Sequence, residues 1–164
     1  MKLQNLVKRL IPFLIVLMFP VAGAQSIWGG ANVEVPFSGG AGIYASLHVG
    51  AGYNLPLGLG TIGLEITPFA LRGDAQSFAR IGLVMRDIPI PFVPISLRGE
   101  AGIERLTPGG LFDFNTGSTS VYLGAGARYI VFGPLGVNLT GRLYLGGSGN
   151  ASAFTISLGA DFKI

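Results

Sequence analysis

Residues 154–164 read Phe-Thr-Ile-Ser-Leu-Gly-Ala-Asp-Phe-Lys-Ile. Phe154, Ile156, Leu158, Ala160, Phe162 and Ile164 alternate with Thr155, Ser157, Gly159, Asp161 and Lys163. Successive side chains of a strand point to opposite faces. This segment is therefore a strand with one apolar and one polar face. No stretch of useful length shows the 3.6-residue period of an amphipathic helix.

The same alternation recurs upstream. In 135–145, Leu135, Val137, Leu139, Leu143 and Leu145 oppose Asn138, Thr140, Arg142 and Tyr144. In 119–131, Val121, Leu123, Ala125, Ala127, Tyr129 and Val131 oppose Tyr122, Gly124, Gly126 and Arg128. Residues 93–105, 78–86, 61–71, 42–54 and 31–37 repeat the pattern, which predicts eight strands in all. Turn signals fall between them: Ser38-Gly39-Gly40, Pro56-Leu57-Gly58, Gly73-Asp74, Pro89 to Pro91, Pro108-Gly109-Gly110, Gly133-Pro134 and Gly147 to Asn150. Connections this short join antiparallel neighbours. An eight-stranded meander loses its exposed edges by closing into an up-and-down barrel. Pro68 interrupts one strand, and a bulge or an early strand end is expected there.

The first residues are of another kind. Lys2, Lys8 and Arg9 precede the apolar run Leu10 to Val21, and Ala22-Gly23-Ala24 follows. This is the layout of a cleavable secretory signal. The run is about a dozen residues and holds two prolines, against the roughly 20 needed for a membrane-spanning helix. Residues 1–24 are expected to be a signal peptide for the Sec route, and 25–164 the barrel domain. The formal charge of +3 resides in that leader. Residues 25–164 carry eight basic and eight acidic side chains, leaving no basic surface for nucleic acid. The sequence has no cysteine, which excludes disulfides and zinc-thiolate sites. No cofactor or metal is expected.

Two barrels fit this pattern. A lipocalin-like carrier of apolar ligands has an apolar interior and a charged surface, and an outer-membrane barrel reverses this. A soluble surface carries about 25–35% charged residues. Residues 25–164 hold 16 charges in 140 positions, with one lysine, mostly on the polar faces of strands. That is too few to solvate an outer surface but suits a narrow lumen. The inward charges are then Glu34, Glu65, Arg80, Arg86, Arg98, Glu100, Glu104, Arg128, Arg142, Asp161 and Lys163. Turn arithmetic sets Arg80 opposite Glu100 and Arg86 opposite Glu65. Inward glycines at 50, 52, 82, 124 and 126 leave room for arginines. An eight-stranded barrel is just wide enough for side chains to fill, so a polar plug is favoured over an ion pathway. Tyr53, Phe92, Tyr129, Phe132 and Phe162 fall near one end of the strands, and Phe37, Phe78 and Phe154 near the other. Two such belts mark the membrane interfaces of a lipid-facing barrel.

Ser157-Leu158-Gly159-Ala160-Asp161-Phe162-Lys163-Ile164 resembles the C-terminal assembly signal of bacterial outer-membrane barrels. Ser157, Gly159 and Phe162 match its polar, glycine and apolar positions, while Ile164 stands where an aromatic is usual. With the export signal and eight strands, the chain looks like the small OmpA/OmpX-type barrels. The resemblance implies residence in the bacterial outer membrane, contact with its lipid and insertion by the barrel-assembly machinery. It names no activity. A monomer with a structural or surface-interaction role is expected. An outer-membrane lipid-modifying enzyme is the alternative, with Ser46 and His48 on one strand face and Glu34 or Glu65 as the orienting acid. His48 points inward, away from lipid, and no G-x-S-x-G elbow occurs, so catalysis is not the favoured reading. Arg72-Gly73-Asp74 spells an adhesion tripeptide that a turn explains equally well. The longest loop, 107–118, offers Phe112 and Phe114 for contact with a partner or lipid.

Overall fold

The computed structural model describes residues 25–37, 42–72, 77–107, 118–145 and 154–164. The sequence-predicted signal peptide, the Gly73-Asp74 turn and Phe112 and Phe114 lie outside them. Eight strands follow in chain order: β1 (Ser26–Pro36), β2 (Tyr44–Asn54), β3 (Thr61–Arg72), β4 (Ser77–Pro89), β5 (Ile95–Thr107), β6 (Thr119–Phe132), β7 (Leu135–Leu145) and β8 (Phe154–Lys163). Each pairs antiparallel with the next. β8 returns to β1 from Trp28↔Lys163 to Pro36↔Thr155, so the sheet closes into an up-and-down barrel. Closure pairs every edge strand, which an open sheet of this length would leave exposed. Among the described residues no helix is long and apolar enough to cross a membrane, which says nothing about a β-barrel.

Turn chemistry sets the ends. β6 and β7 join through Gly133-Pro134, where Gly133 takes a left-handed φ of 51°. β2 and β3 join through a 3-10 turn at Pro56–Gly58, and β4 and β5 through residues 90–94. These three connections lie at the barrel end that also holds Gln25 and Ile164. It is called here the short-turn end.

Pro68 produces a bulge rather than a strand end. β3 gains one residue against both neighbours: Leu47 pairs with Phe69 but Val49 with Ile66, and Arg80 pairs with Thr67 but Phe78 with Ala70. Proline has no N–H to give the ladder, and a bulge leaves one residue unpaired. The strand then continues to Arg72.

Two register expectations are corrected. Arg80 lies opposite Glu104, not Glu100, and Arg86 opposite Thr61, not Glu65. β4 runs to Pro89 and β5 starts only at Ile95, so the β4–β5 turn is centred on Phe92 rather than Ile90, and the Arg86↔Thr61 pairing centres β3 and β4 two residues earlier than an Arg86–Glu65 pairing would. A turn centre moved by two residues moves the partner by four. Both faces keep their parity, because each slip is even.

Polarity runs opposite to that of a water-soluble protein. In β7 the inward Gly136, Asn138, Thr140, Arg142 and Tyr144 are buried or nearly so, while Leu135, Val137, Leu139, Leu143 and Leu145 face outward and are exposed. β1 shows the same with Trp28, Asn32 and Glu34 inside and Ile27, Val33 and Val35 outside. The interior is thus polar and charged, and the outer wall is a continuous apolar surface.

Candidate functional site

The lumen is the site this fold builds. Ten of its expected charges, Glu34, Glu65, Arg80, Arg86, Arg98, Glu100, Glu104, Arg128, Arg142 and Asp161, are buried inside the barrel. Lys163 lies at the short-turn mouth with its side chain part-exposed. The strands bring the groups together because each contributes alternate residues to one narrow interior.

Seven groups form an unbroken chain of ion pairs through the middle and upper lumen. Arg98 reaches Glu65 at 2.6 Å and Glu100 at 2.5 Å. Glu100 also accepts from Arg142 Nε, and Arg142 lies 3.3 Å from Glu34. Arg80 then bridges Glu34 at 3.0 Å and Glu104 at 2.8 Å. The arginine forks are spread over two carboxylates each, which a lysine ammonium does less well. Tyr144 donates to Glu104 at 2.9 Å, and Ser46 donates to Glu34 at 2.8 Å.

A second cluster closes the short-turn mouth. Asp161 accepts from Arg86 at 2.6 Å and Arg128 at 2.5 Å. Asp87 contacts Arg86 at 3.2 Å, Lys163 at 3.0 Å and Arg128 at 3.7 Å. With all groups ionised the upper chain has four acids to three bases and the mouth cluster two acids to three bases. One excess negative charge therefore offsets one excess positive charge. Trp28 links the two clusters. Its Nε1–H donates to Glu65 at 2.7 Å, and the Arg86 guanidinium lies 4.9 Å from its ring centroid.

Glycines carve the space for these large groups. A Cβ at Gly50 would sit 2.3 Å from the Trp28 ring. One at Gly82 would meet the Tyr122 hydroxyl at 2.3 Å, and one at Gly124 the Glu100 side chain at 2.6 Å. Gly136 makes the same room for Arg128, at 2.6 Å from its Nε. The result is a filled, cross-linked interior, and a polar network plugs the lumen.

Trp28 and Asp87 are absent from the sequence-derived set of inward groups. Trp28 has the parity of Glu34, so extending the alternation toward Ser26 would have placed it inward. Asp87 has the outward parity of Met85. It turns inward because the ladder shifts between Met85 and Ile88 and its φ is 56°. Alternation carries no signal for that.

The aromatic expectations divide. Tyr53, Tyr129, Phe132 and Phe162 are exposed near the short-turn end, and Phe37 and Phe154 pair at 5.8 Å on the outside at the other end. Phe92 sits at a turn tip. Phe78 is a correction: it is buried in the lumen, 5.4 Å from the Tyr44 ring and 4.7 Å from the Arg80 guanidinium. It shares the parity of Arg80, so it cannot belong to an outer belt. In the assembly segment Ser157 faces inward, Gly159 lies against Asn32, and Phe162 and Ile164 face outward and are exposed.

Ser46 and His48 do not form a nucleophile and base. Ser46 donates to Glu34, while His48 Nδ1 is 3.0 Å from Asn32 Nδ2. Both are buried in the lumen. A catalytic triad needs the base on the nucleophile and the acid on the base, and here the serine goes to the acid. Among the described residues the interior is charged and crossed by ion pairs, the reverse of the apolar interior of a lipocalin.

Taken together, the topology and polarity define a closed eight-stranded antiparallel barrel with a polar interior and an apolar wall, similar in fold to small bacterial outer-membrane barrels. The chain superimposes on the N-terminal β-barrel domain of Pseudomonas aeruginosa OprF with a TM-score of 0.61 and 13% identity, covering 86% of this chain and 98% of that one. Neisserial surface protein A gives a TM-score of 0.60 at 19% identity, covering 85% and 95%. A de novo designed transmembrane β-barrel gives 0.58 at 16%, covering 86% and 97%. Identities this low establish the shared fold alone, and the designed barrel shows that this fold can exist without a biological task. No family model and no curated protein sequence matches the chain.

Proposed function

We propose that the chain is an integral outer-membrane β-barrel protein, exported by a signal peptide over residues 1–24. Its role is structural or in surface interaction rather than catalytic. One observation carries this reading: among the described residues the middle of every strand is mostly polar on its inner face and apolar on its outer face. An outer wall of Leu, Val and Ile costs solubility in water and is what a hydrocarbon solvent requires. The fold shared with OprF and Neisserial surface protein A supports the same compartment. Ser157, Gly159, Phe162 and Ile164 are proposed as the signal read by the barrel-assembly machinery, and Tyr53, Tyr129, Phe132, Phe162, Phe37 and Phe154 as interface aromatics. The lumen network serves as a stiffening plug. Among the described residues each inward acid is linked to at least one base, and the linked side chains fill the axis.

Expression in a diderm bacterium with fractionation tests the proposal. The protein should appear in the outer-membrane fraction, shortened at the N-terminus, and its gel mobility should change on boiling. Recovery as a detergent-free soluble protein would sink it. Lipid hydrolysis by the purified protein, lost on His48→Ala, would favour the enzyme instead.

A further inference from the structure

The short-turn end has an unusual composition. Turns are normally built from Gly, Pro, Asn, Asp and Ser because they lie in water. Here residues 55–60 are Leu-Pro-Leu-Gly-Leu-Gly, 90–94 are Ile-Pro-Phe-Val-Pro, and 132–135 are Phe-Gly-Pro-Leu. None of these side chains has a charge or a hydrogen-bonding group. The tips are also fully presented: Leu57 is 95% exposed and Phe92 105% exposed, and Phe132 and Ile164 are close behind.

Two of these tips are held against conformational preference. Leu57 has a φ of 59° and Phe92 a φ of 69°. This left-handed region is disfavoured for side chains of that size, and Gly or Asn is its relaxed occupant. The chain thus places a large apolar side chain on a strained backbone at each tip, pointing away from the barrel. Backbone hydrogen bonds close both turns, from Leu55 to Gly60 at 2.8 Å and from Ile90 to Ile95 at 3.2 Å, but the two side chains themselves touch almost nothing in the protein. Cover for their apolar surface has to come from the surroundings.

We propose that the short-turn end is seated in lipid, with Leu57, Phe92 and Phe132 as anchors that enter the headgroup region of the leaflet on that side. This rests on the outer-membrane reading above. Geometry favours lipid over a protein partner. The turns β2–β3, β4–β5 and β6–β7 and the β8 end occupy four positions spaced around the barrel. A medium that surrounds the barrel reaches all four, whereas a partner docking on one side covers one or two. The outer wall runs on from Tyr129 and Val131 into Phe132 without a polar break, and between Tyr53 and Leu57 the one polar residue, the exposed Asn54, turns its amide oxygen to Ser26, Thr61 and Lys163 at the mouth. The charges at this end, Asp87 and Lys163, belong to the mouth of the lumen, inside the ring.

The absence of cysteine allows a clean test. Single variants Leu57→Cys, Phe92→Cys and the mid-wall Leu139→Cys would each carry a polarity-sensitive maleimide dye. Each would be refolded into phosphatidylcholine vesicles containing lipids with a quencher at the headgroup or deep in the acyl chain. The dyes at 57 and 92 should be quenched by the headgroup-level quencher and shielded from aqueous iodide, and that at 139 by the deep quencher. Iodide quenching at 57 and 92 with lipid quenching kept at 139 overturns the inference and spares the outer-membrane reading. Loss of lipid quenching at all three overturns both. Shielding at 57 and 92 without lipid quenching, growing with protein concentration, means that a second copy covers the tips, and also overturns the inference. Leu59→Cys and Phe132→Cys repeat the measurement if either turn variant fails to refold.

Discussion

Replacing Arg80 by methionine is the sharpest test of the lumen network. Methionine keeps the length of the stem and deletes the charge. Arg80 donates twice to Glu34, at 3.2 and 3.0 Å, and twice to Glu104, at 3.0 and 2.8 Å, and reaches Tyr144 at 3.1 Å. The two carboxylates are left unequally placed. Glu34 retains Ser46 at 2.8 Å and Arg142 at 3.3 Å, whereas Glu104 retains the Tyr144 hydroxyl at 2.9 Å. Among the described residues no other cation pairs with Glu104, so one buried carboxylate is stripped of its cation. Breaking a buried pair costs about 3–5 kcal/mol. The lower end, about 3 kcal/mol, applies because Glu34 stays paired. Arg80→Met with Glu104→Gln removes the stranded charge and should recover about 2 kcal/mol, within the range of couplings between contacting residues. Urea unfolding in vesicles, read by Trp28 emission, gives both numbers as midpoint shifts at constant slope. A single variant within about 0.5 kcal/mol of the parent, the range of surface changes, would refute the reasoning. So would a double variant no better than the single.

Other outcomes follow from packing and polarity. Gly50→Ala drives a methyl into the Trp28 ring and should cost about 1–3 kcal/mol as overpacking, while Gly99→Ala, with nothing within 4 Å of the new Cβ, should be close to neutral in the same unfolding assay. Leu139→Arg on the outer wall should cost about 2–4 kcal/mol if it sits near the bilayer midplane, measured as the change in refolding free energy in vesicles. Trp28, the single tryptophan, is wholly buried in the lumen. Its emission should resist both aqueous acrylamide and lipid-borne quenchers in the folded protein and become acrylamide-sensitive on unfolding.

Strand number, pairing order and the inward set were legible because alternation has a period of two and each register slip was even. Arg80 and Arg86 remained inward although their partners were misplaced by four residues. The partners themselves were not legible. They depend on where a turn is centred and where a ladder bulges, and the apolar β4–β5 turn at 90–94 offers no Gly or Asn to mark its middle. Asp87 was hidden for the same reason, because only the irregularity between Met85 and Ile88 turns it into the mouth cluster. Phe78 was misplaced by reading position along the strand without its parity. Pro68 spoke for itself, since a residue without an N–H must break the ladder, and the structure resolves that break as a bulge.

The central claim is that lipid faces the odd-numbered side chains of β7 and the plugged lumen faces the even-numbered ones. Single cysteines placed in turn from residue 135 to 145, labelled and refolded into vesicles with acyl-chain quenchers, measure this directly. Strong quenching is expected at 135, 137, 139, 143 and 145 and little at 138, 140 and 142. Uniform quenching along the strand, or quenching in the opposite phase, would contradict it.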